Sequence, residues 1–372
     1  MKFLFTCSGT AGHINPALAT ADELLRIVPD AKILFIGAGR EMEKRLIPKA
    51  GYELKNIRMS GLKRGLSPAD MIYNVKTMRN LVTAGSEAAK IIRQFKPQVV
   101  IGTGGYVCYP IIKKAAKMGI PTIIHESNAV PGLATKLLSS IVDKVLVSFP
   151  GLENNYKRPE RVIYTGTPVR GGFEVREEND ETGEFDRKPL VVSFWGSLGA
   201  ERMNEIISEF IMLNIAGGEF DHIHATGGQD GVADMQNRLK RSGAPEDMPP
   251  GIEIRDYIDD MQSTMSAANL VLCRAGGSTI AELTAAGKPA VLIPSPYVSN
   301  NEQEKNAQQL HNIGGVIVLE EKNCSGGILF KTITELLKDK QKLKKMTDAQ
   351  RALAAPKAAE KIAELIIDII IP

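Results

Sequence analysis

Residues 3–25, FLFTC-SGTAGH-INPALATADELL, combine an apolar run, a glycine-bearing turn and the start of a helical pattern. Residues 190–210, LVVSF-WGSLGA-ERMNEIISEF, repeat this order in the second half of the chain. An apolar run that ends at glycine and continues into apolar residues at three- to four-residue spacing is typical of a strand leading into a helix. Both halves therefore open as a Rossmann-like unit does.

Short apolar runs alternate with helical patterns, such as Ala17–Ile27, throughout both halves of the chain. Alternation of strands and helices predicts a parallel sheet covered on both faces. We expect an α/β fold with two doubly wound, Rossmann-like domains facing each other across a cleft. The predicted strands are Lys2–Cys7, Lys32–Gly37, Val99–Gly102, Pro121–His125, Lys144–Ser148, Val162–Thr165, Leu190–Trp195, His222–Thr226, Ile252–Arg255, Asn269–Arg274, Ala290–Pro294 and Val316–Leu319.

The stretch 171–188 is densely charged and poor in apolar residues, which is typical of a linker or surface loop. We therefore expect a first domain over 1–170, a second over 171–352 and a C-terminal helical segment over 353–372. An apolar stripe in that last segment is too short for a membrane anchor and favours packing back on the first domain. Its members are Ile362, Leu365, Ile366, Ile369 and Ile370.

Composition places the 372-residue chain among ordinary globular proteins, with 43% hydrophobic and 24% charged residues. The four cysteines are scattered, so a disulfide framework or a zinc site is not expected. No apolar run is long enough to span a bilayer, and the short apolar start resembles a strand more than a signal peptide, which favours the cytoplasm.

Charge is distributed unevenly, because residues 1–170 hold 25 Lys and Arg against 12 Asp and Glu, whereas the remainder is acidic. A basic half indicates an anionic partner, and nucleic acid, acidic lipid and phosphate-bearing substrates all fit this charge.

Four glycine-rich turns follow predicted strands, two in each half. In an open α/β sheet such turns lie at the carboxyl ends of the strands, where backbone N–H groups of a helix start can bind phosphate. A phosphate-bearing ligand is therefore expected. The turns are SGTAGH (8–13), GTGGY (102–106), GSLGA (196–200) and AGGST (275–279).

Competing phosphate motifs do not fit. The chain has no GxxxxGK[ST] sequence, and Gly37-Ala38-Gly39 lacks the third glycine of a dinucleotide fingerprint because residue 42 is Met. No DxD carboxylate pair flanks a strand end, so no obligatory metal ion is expected. No cofactor is expected either.

Eight motifs in order resemble the MurG family of bacterial cell-wall glycosyltransferases along essentially the whole chain. The family's fold is GT-B, and its implied activity is inverting transfer of GlcNAc from UDP-GlcNAc to the MurNAc C4 hydroxyl of lipid I, giving lipid II in peptidoglycan synthesis. The motifs are GTAGHINPALA (9–19), GTGGYVCYP (102–110), HESNAVPG (125–132), GTPVR (166–170), GSLGAERMN (196–204), YIDDM (257–261), RAGGSTIAELTAAGKPAVLIP (274–294) and NNEQEKNA (300–307).

The resemblance implies a division of labour between the domains. The basic first domain would hold the pyrophosphate of lipid I with Thr10, Gly12, Gly102, Thr103, Gly104, Gly105 and Tyr106. The second domain would bind UDP-GlcNAc, with Ile258 at uracil and Glu282 at the ribose hydroxyls. The remaining implied donor contacts are Thr10, Ala11, Gly12, Asn128, Arg170, Ser197, Ala275, Gly276, Gly277, Ser278, Thr279, Glu302 and Gln303.

Several residues depart from the family pattern. Ala11 replaces a glycine of the usual GGTGGH turn, and Glu302-Gln303 replaces a pair of glutamines. This chain has GTPVR where the family usually has GNPVR, and WGSLGA where the family usually has GGSQGA. None of these changes removes a charged group.

His13 and Glu126 are the two candidates for the base that removes the acceptor proton. His13 follows the first glycine turn, and an imidazole exchanges protons near neutral pH. The alternative for His13 is to cap the helix or to bind phosphate. Glu126 lies at the end of a predicted strand, and the alternative for it is to hold the loop of Asn128.

A basic, apolar surface between Leu62 and Lys96 is predicted to rest on anionic lipid. Met71, Val75, Met78 and Val82 share one helical face next to Lys76 and Arg79, and Lys63-Arg64 precedes them. The alternative is an amphipathic helix facing the domain core. With the resemblance, this surface implies a peripheral protein on the cytoplasmic face of the membrane, with no nucleic-acid partner and with cell-wall synthesis proteins left open as partners.

Two other functions remain open from the sequence. A GT-B enzyme could glycosylate a different lipid, such as a diacylglycerol, although HESN and NNEQEKNA argue against it. A two-domain protein could also bind sugar nucleotides without turnover, although His13 and Glu126 favour an enzyme.

Overall fold

The structure of the protein is a computed structural model that describes residues 1–59, 67, 83–171, 188–196, 199–228 and 230–371. The chain forms two compact units. The first comprises Met1–Gly171 and Ala355–Pro372, and the second comprises Gly172–Ala354. The C-terminal segment therefore belongs to the N-terminal unit.

The N-terminal unit is built on a seven-stranded parallel sheet in the order β3-β2-β1-β4-β5-β6-β7. The strands are β1 (Lys2–Thr6), β2 (Lys32–Gly37), β3 (Glu53–Asn56), β4 (Val99–Gly102), β5 (Thr122–Glu126), β6 (Lys144–Val147) and β7 (Val162–Tyr164). The helices are α1 (Ala11–Ile27), α2 (Glu41–Lys49), α3 (83–95), α4 (Cys108–Lys117), α5 (Leu133–Leu138) and, from the C-terminus, α13 (Ala358–Asp368).

The core of this unit forms where apolar strand residues meet helix α1. Phe5 and Phe35 lie on neighbouring strands, and their rings stack with centroids 5.2 Å apart. Leu18 of α1 and Ile362 of α13 belong to the same buried cluster. The apolar stripe of the C-terminal segment thus packs against α1, with Ile362 and Ile366 buried and the other members partly buried, because the hydrophobic effect favours covering it.

The C-terminal unit is built on a six-stranded parallel sheet in the order β10-β9-β8-β11-β12-β13. The strands are β8 (Leu190–Phe194), β9 (Asp221–Ala225), β10 (Ile252–Arg255), β11 (Leu270–Cys273), β12 (Ala290–Leu292) and β13 (Val316–Val318). The helices are α6 (Glu201–Gly217), α7 (Gly231–Arg241), α8 (Met261–Ala267), α9 (Gly277–Ala286), α10 (Glu302–Asn312), α11 (Gly326–Lys338) and α12 (Lys340–Leu353).

The two-domain α/β prediction is confirmed, since each unit has a parallel sheet whose strand order reverses next to its first strand. Each of the twelve predicted strands coincides with an observed one. The edge strand β3 was missed because its residues, ELKN, carry no apolar run. Within the described parts of the chain, no helix is long and apolar enough to cross a membrane.

Candidate active site

The first glycine turn lies between β1 and α1 and holds the His13 ring. Gly9 has a φ of +100°, which glycine adopts without strain, and α1 begins at Ala11. Nδ1 of His13 lies 2.8 Å from the carbonyl oxygen of Ser8. Because a carbonyl oxygen only accepts hydrogen bonds, Nδ1 carries the proton, and the lone pair of the neutral ring is on Nε2. His13 is thus held in the tautomer that a base acting through Nε2 requires.

The second glycine turn, after β4, packs directly against the first. The Ser8 N–H donates to the carbonyl oxygen of Gly104 at 3.2 Å, and the Thr103 hydroxyl donates to the carbonyl oxygen of His13 at 2.7 Å. Gly104 has a φ of +122°, and a Cβ at this position would lie 2.8 Å from Nε2 of His13. The backbone of the second turn therefore lies against the imidazole.

The other residues predicted for the acceptor pyrophosphate differ in their exposure. Gly102 and Thr103 are buried, so they support the turn from inside the unit. Thr10 and Tyr106 are exposed, and Tyr106 is 42% accessible. The partly exposed members are Gly12, Gly104 and Gly105, and Ala11, predicted as a donor contact, is also partly exposed.

Glu126 ends β5, and its buried carboxylate is surrounded by hydrogen-bond donors of the loop that follows. Oε1 accepts from the backbone N–H of Asn128 at 3.2 Å and from its side-chain amide at 3.1 Å. Oε2 accepts from the Gly132 N–H at 2.9 Å. These contacts are the ones expected of a residue that holds the loop of Asn128.

His125, which precedes Glu126, is buried inside the same unit. Its Nε2 lies 3.0 Å from the carbonyl oxygen of Gly166, and burial lowers its pKa to about 4. His125 is therefore neutral near pH 7 and donates from Nε2 to that carbonyl.

Arg170, the last residue of GTPVR, forms an ion pair with helix α1. Its Nε lies 3.0 Å from Oδ2 of Asp22, whose Oδ1 accepts from the Tyr52 hydroxyl at 2.7 Å. Both members of the ion pair are nearly half exposed, so the pair contributes little to stability and leaves the guanidinium accessible to an anion.

In the C-terminal unit, the AGGST turn joins β11 to α9. Gly276 is the N-cap residue, and α9 begins at Gly277, so the backbone N–H groups at this helix start are suited to an anion. The Asn306 side-chain amide donates to the carbonyl oxygen of Ala275 at 3.1 Å, which ties α10 to the turn. Ser278 and Thr279 lie in the first turn of α9.

Arg274, which directly precedes this turn, forms a buried ion pair. Its Nη2 lies 2.6 Å from Oε2 of Glu321, and the two side chains are only 8% and 4% exposed. Nη1 donates to the carbonyl oxygen of Ile293 at 2.9 Å, and the guanidinium lies 5.8 Å from the ring centroid of Trp195. The chain segments that follow β8, β11 and β12 are thereby held to one another.

The remaining predicted donor residues lie on this unit at separate elements. Glu282 is on α9, and loss of water around its carboxyl raises its pKa to about 7. Ile258 is buried just after β10. Gln303 of α10 accepts the Ser295 N–H at 2.8 Å through Oε1, and Glu302 precedes it at the helix start. Ser197 lies outside the described residues.

Sequence reasoning missed Arg274 and Glu321 as a pair, as well as Asn306 and the buried Glu43. Glu43 lies three residues after the N-cap of α2, which is a recognisable helix-start signal, but its partner Gly9 is 34 residues away. No comparable signal connects Arg274 to Glu321, since their contact depends on tertiary structure.

Two Rossmann-like units with glycine turns at the carboxyl ends of their strands define a protein of the GT-B class. The glycosyltransferase family 28 N-terminal domain matches residues 3–147, and the family's C-terminal domain matches residues 190–364. The chain belongs to glycosyltransferase family 28.

Similar sequences and a similar solved structure support this family assignment. A relative in Acetivibrio thermocellus is 44% identical over 99% of this chain and 98% of its own length. A relative in Thermoanaerobacter is 41% identical over 98% of this chain and 99% of its own. Both are named UDP-N-acetylglucosamine–N-acetylmuramyl-(pentapeptide) pyrophosphoryl-undecaprenol N-acetylglucosamine transferase. The solved structure of Acinetobacter baumannii MurG matches with a TM-score of 0.73 and 27% identity over 99% of both chains.

Proposed function

We propose that this chain transfers GlcNAc from UDP-GlcNAc to the C4 hydroxyl of MurNAc in lipid I, giving lipid II with inversion at the transferred sugar. The observation that carries the proposal is the 44% identity over the whole chain to a transferase named for this reaction. Peptidoglycan synthesis, and through it cell shape and division, would be the process served.

His13 is the base in this proposal. Because Nδ1–H donates to the Ser8 carbonyl, Nε2 is the atom that takes the proton from the acceptor hydroxyl. The hydroxyl oxygen attacks C1 of GlcNAc from the face opposite UDP. The C1–O bond to UDP breaks as the new bond forms, and UDP departs with the bonding electron pair. Attack from the opposite face inverts the configuration at C1.

Glu126 acts as a loop-holding residue in the same proposal. Its oxygens accept three hydrogen bonds from the loop of Asn128, so the carboxylate is engaged with its own chain. Asn128 and Arg170, together with Thr10, Ala11 and Gly12, would complete the donor site from the N-terminal unit.

The C-terminal unit would hold most of UDP-GlcNAc. The N–H groups at the start of α9 would bind the diphosphate together with Ser197, since charge on departing UDP needs donors fixed in advance. Glu282 would accept from the ribose hydroxyls, and the Ile258 backbone would contact uracil. With Oε1 of Gln303 bonded to Ser295, the amide nitrogen is the group that donates to a sugar hydroxyl.

The N-terminal unit would hold the pyrophosphate of lipid I between its two glycine turns, at the cytoplasmic face of the membrane. The excess of basic over acidic residues in 1–170 supports contact with anionic lipid. The residues named for the membrane surface within Leu62–Lys96, the first of which is Lys63 and the last Val82, lie outside the described residues. Sedimentation with anionic and with neutral vesicles tests this placement, and equal binding to both would contradict it.

The test of the reaction is UDP release from UDP-GlcNAc with and without a lipid I analogue. Release that requires the lipid supports the proposal, whereas donor binding without transfer would indicate a binding protein, and release with a diacylglycerol instead of lipid I would indicate another lipid glycosyltransferase. His13→Ala is expected to lower kcat at least ~100-fold with little change in donor affinity. Unchanged turnover of this variant would remove His13 from the mechanism.

A further inference from the structure

Glu43 is a fully buried carboxylate at the start of α2 whose contacts extend beyond its own helix. Oε2 accepts the backbone N–H groups of Gly39 at 2.8 Å and of Arg40 at 3.1 Å, as a helix cap does. Oε1 accepts the N–H of Gly9 at 3.1 Å, in the first glycine turn. The helix cap does not need this third bond, which joins α2 to the turn that carries His13.

The end of β2 leaves room for this carboxylate. Gly37 is the last residue of the strand, and a Cβ there would lie 2.5 Å from Oε2 of Glu43. Any other residue at this position would push the carboxylate aside. The position of the Glu43 carboxylate next to Gly9 therefore depends on glycine at position 37.

The Ser8–Gly9 peptide connects Glu43 to His13. The Gly9 N–H and the Ser8 C=O are the two polar groups of one planar peptide unit. The N–H donates to Glu43 at one end, and the C=O accepts Nδ1–H of His13 at the other. The carboxylate, the peptide and the imidazole therefore form one hydrogen-bonded chain that ends at Nε2.

Such a chain fixes and polarises its members. A hydrogen bond to a charged acceptor is stronger than one between neutral groups, so Glu43 holds the peptide plane in one orientation. Neighbouring bonds in a chain strengthen one another, which makes the Ser8 oxygen a better acceptor for the His13 N–H. A buried carboxylate that orients a base through its N–H is a familiar arrangement, here with a peptide unit inserted.

We propose that Glu43 is a positioning residue that acts through the Ser8–Gly9 peptide to hold His13 with Nε2 unprotonated. The inference rests on the proposed role of His13 as the base. Glu43 touches neither substrate in this account, and its effect reaches the reaction only through the orientation and tautomer of the imidazole.

The test compares Glu43→Gln with Glu41→Gln, a control at an exposed position in the same helical turn. Nitrogen-15 NMR of the imidazoles reports the tautomer, and the spectrum of His13→Gln identifies the His13 signals. We expect Nδ1–H for His13 in the native protein and in Glu41→Gln, and a mixture with Nε2–H in Glu43→Gln. The kcat of Glu43→Gln should fall at least ~10-fold, with the KM for UDP-GlcNAc unchanged within about 2-fold.

Glu43→Asp covers the case in which Glu43→Gln does not fold. It retains the charge but draws the carboxylate away from Gly9, and it should shift the tautomer in the same direction. A folded variant at Glu43 that keeps both the Nδ1–H tautomer and the native kcat would overturn the inference. The NMR result is independent of the proposal that His13 is the base. A fully active His13→Ala variant would refute the base role, and the tautomer shift would still decide whether Glu43 positions the imidazole.

Discussion

Replacing Gly104 with alanine should disable the proposed base, His13, without changing that residue. A Cβ on Gly104 would lie 2.8 Å from Nε2 and 2.9 Å from Cγ of His13. Ordinary carbon contacts need about 3.5 Å or more, so the ring must move by roughly 1 Å or rotate away from the Ser8 carbonyl. A displacement of this size can lower the rate about 100-fold. Alanine at a φ of +122° also adds backbone strain of about 1–3 kcal/mol.

Gly119→Ala separates the steric effect from the strain. Gly119 also has a positive φ, +71°, but a Cβ there would meet no atom within 4 Å. Both variants should lose unfolding free energy in a denaturant titration, and Gly104→Ala should lose more, because its Cβ also displaces the His13 ring. In the transfer assay, kcat should fall about 100-fold for Gly104→Ala and stay within about 2-fold of the native value for Gly119→Ala. A Gly104→Ala protein that is folded and fully active would refute the placement of His13 against the second glycine turn.

Two further outcomes are expected in the C-terminal unit. Because burial raises the pKa of Glu282 to about 7, its carboxylate forms as pH rises through 7. The KM for UDP-GlcNAc should therefore fall up to about 10-fold from pH 6 to pH 8. A pH profile identical to that of Glu282→Gln would contradict the proposed contact of Glu282 with ribose. Glu321→Gln leaves the Arg274 charge buried and should cost about 3–5 kcal/mol of unfolding free energy. The control Glu320→Gln, at an exposed neighbouring position, should cost less than about 1 kcal/mol. Equal losses in the two variants would show that the buried ion pair stabilises the fold no more than an exposed one.

The fold was largely predictable from the sequence because it depends on local patterns. An apolar run such as Phe3–Cys7 is typical of a strand buried on both faces of a covered parallel sheet, and glycine after it marks the strand end. The edge strand β3 escaped prediction because an edge position allows polar side chains.

The candidate site was predictable only in part. The glycine turns and His13 stand out in the sequence because glycine with positive φ and a histidine at a helix start are local features. The hydrogen bonds of Glu126 to its loop, and of Glu43 to Gly9, depend on how separate segments pack. A carboxylate that binds substrate and one that binds its own backbone look alike in a sequence.

The most direct test of the account follows the sugar itself. Carbon-13 NMR of the lipid formed from UDP-GlcNAc labelled in the sugar should show one labelled GlcNAc per lipid, joined to C4 of MurNAc in the β configuration. Label that remains on UDP, appears as free GlcNAc, or is joined to the lipid in the α configuration would contradict inverting transfer to lipid I.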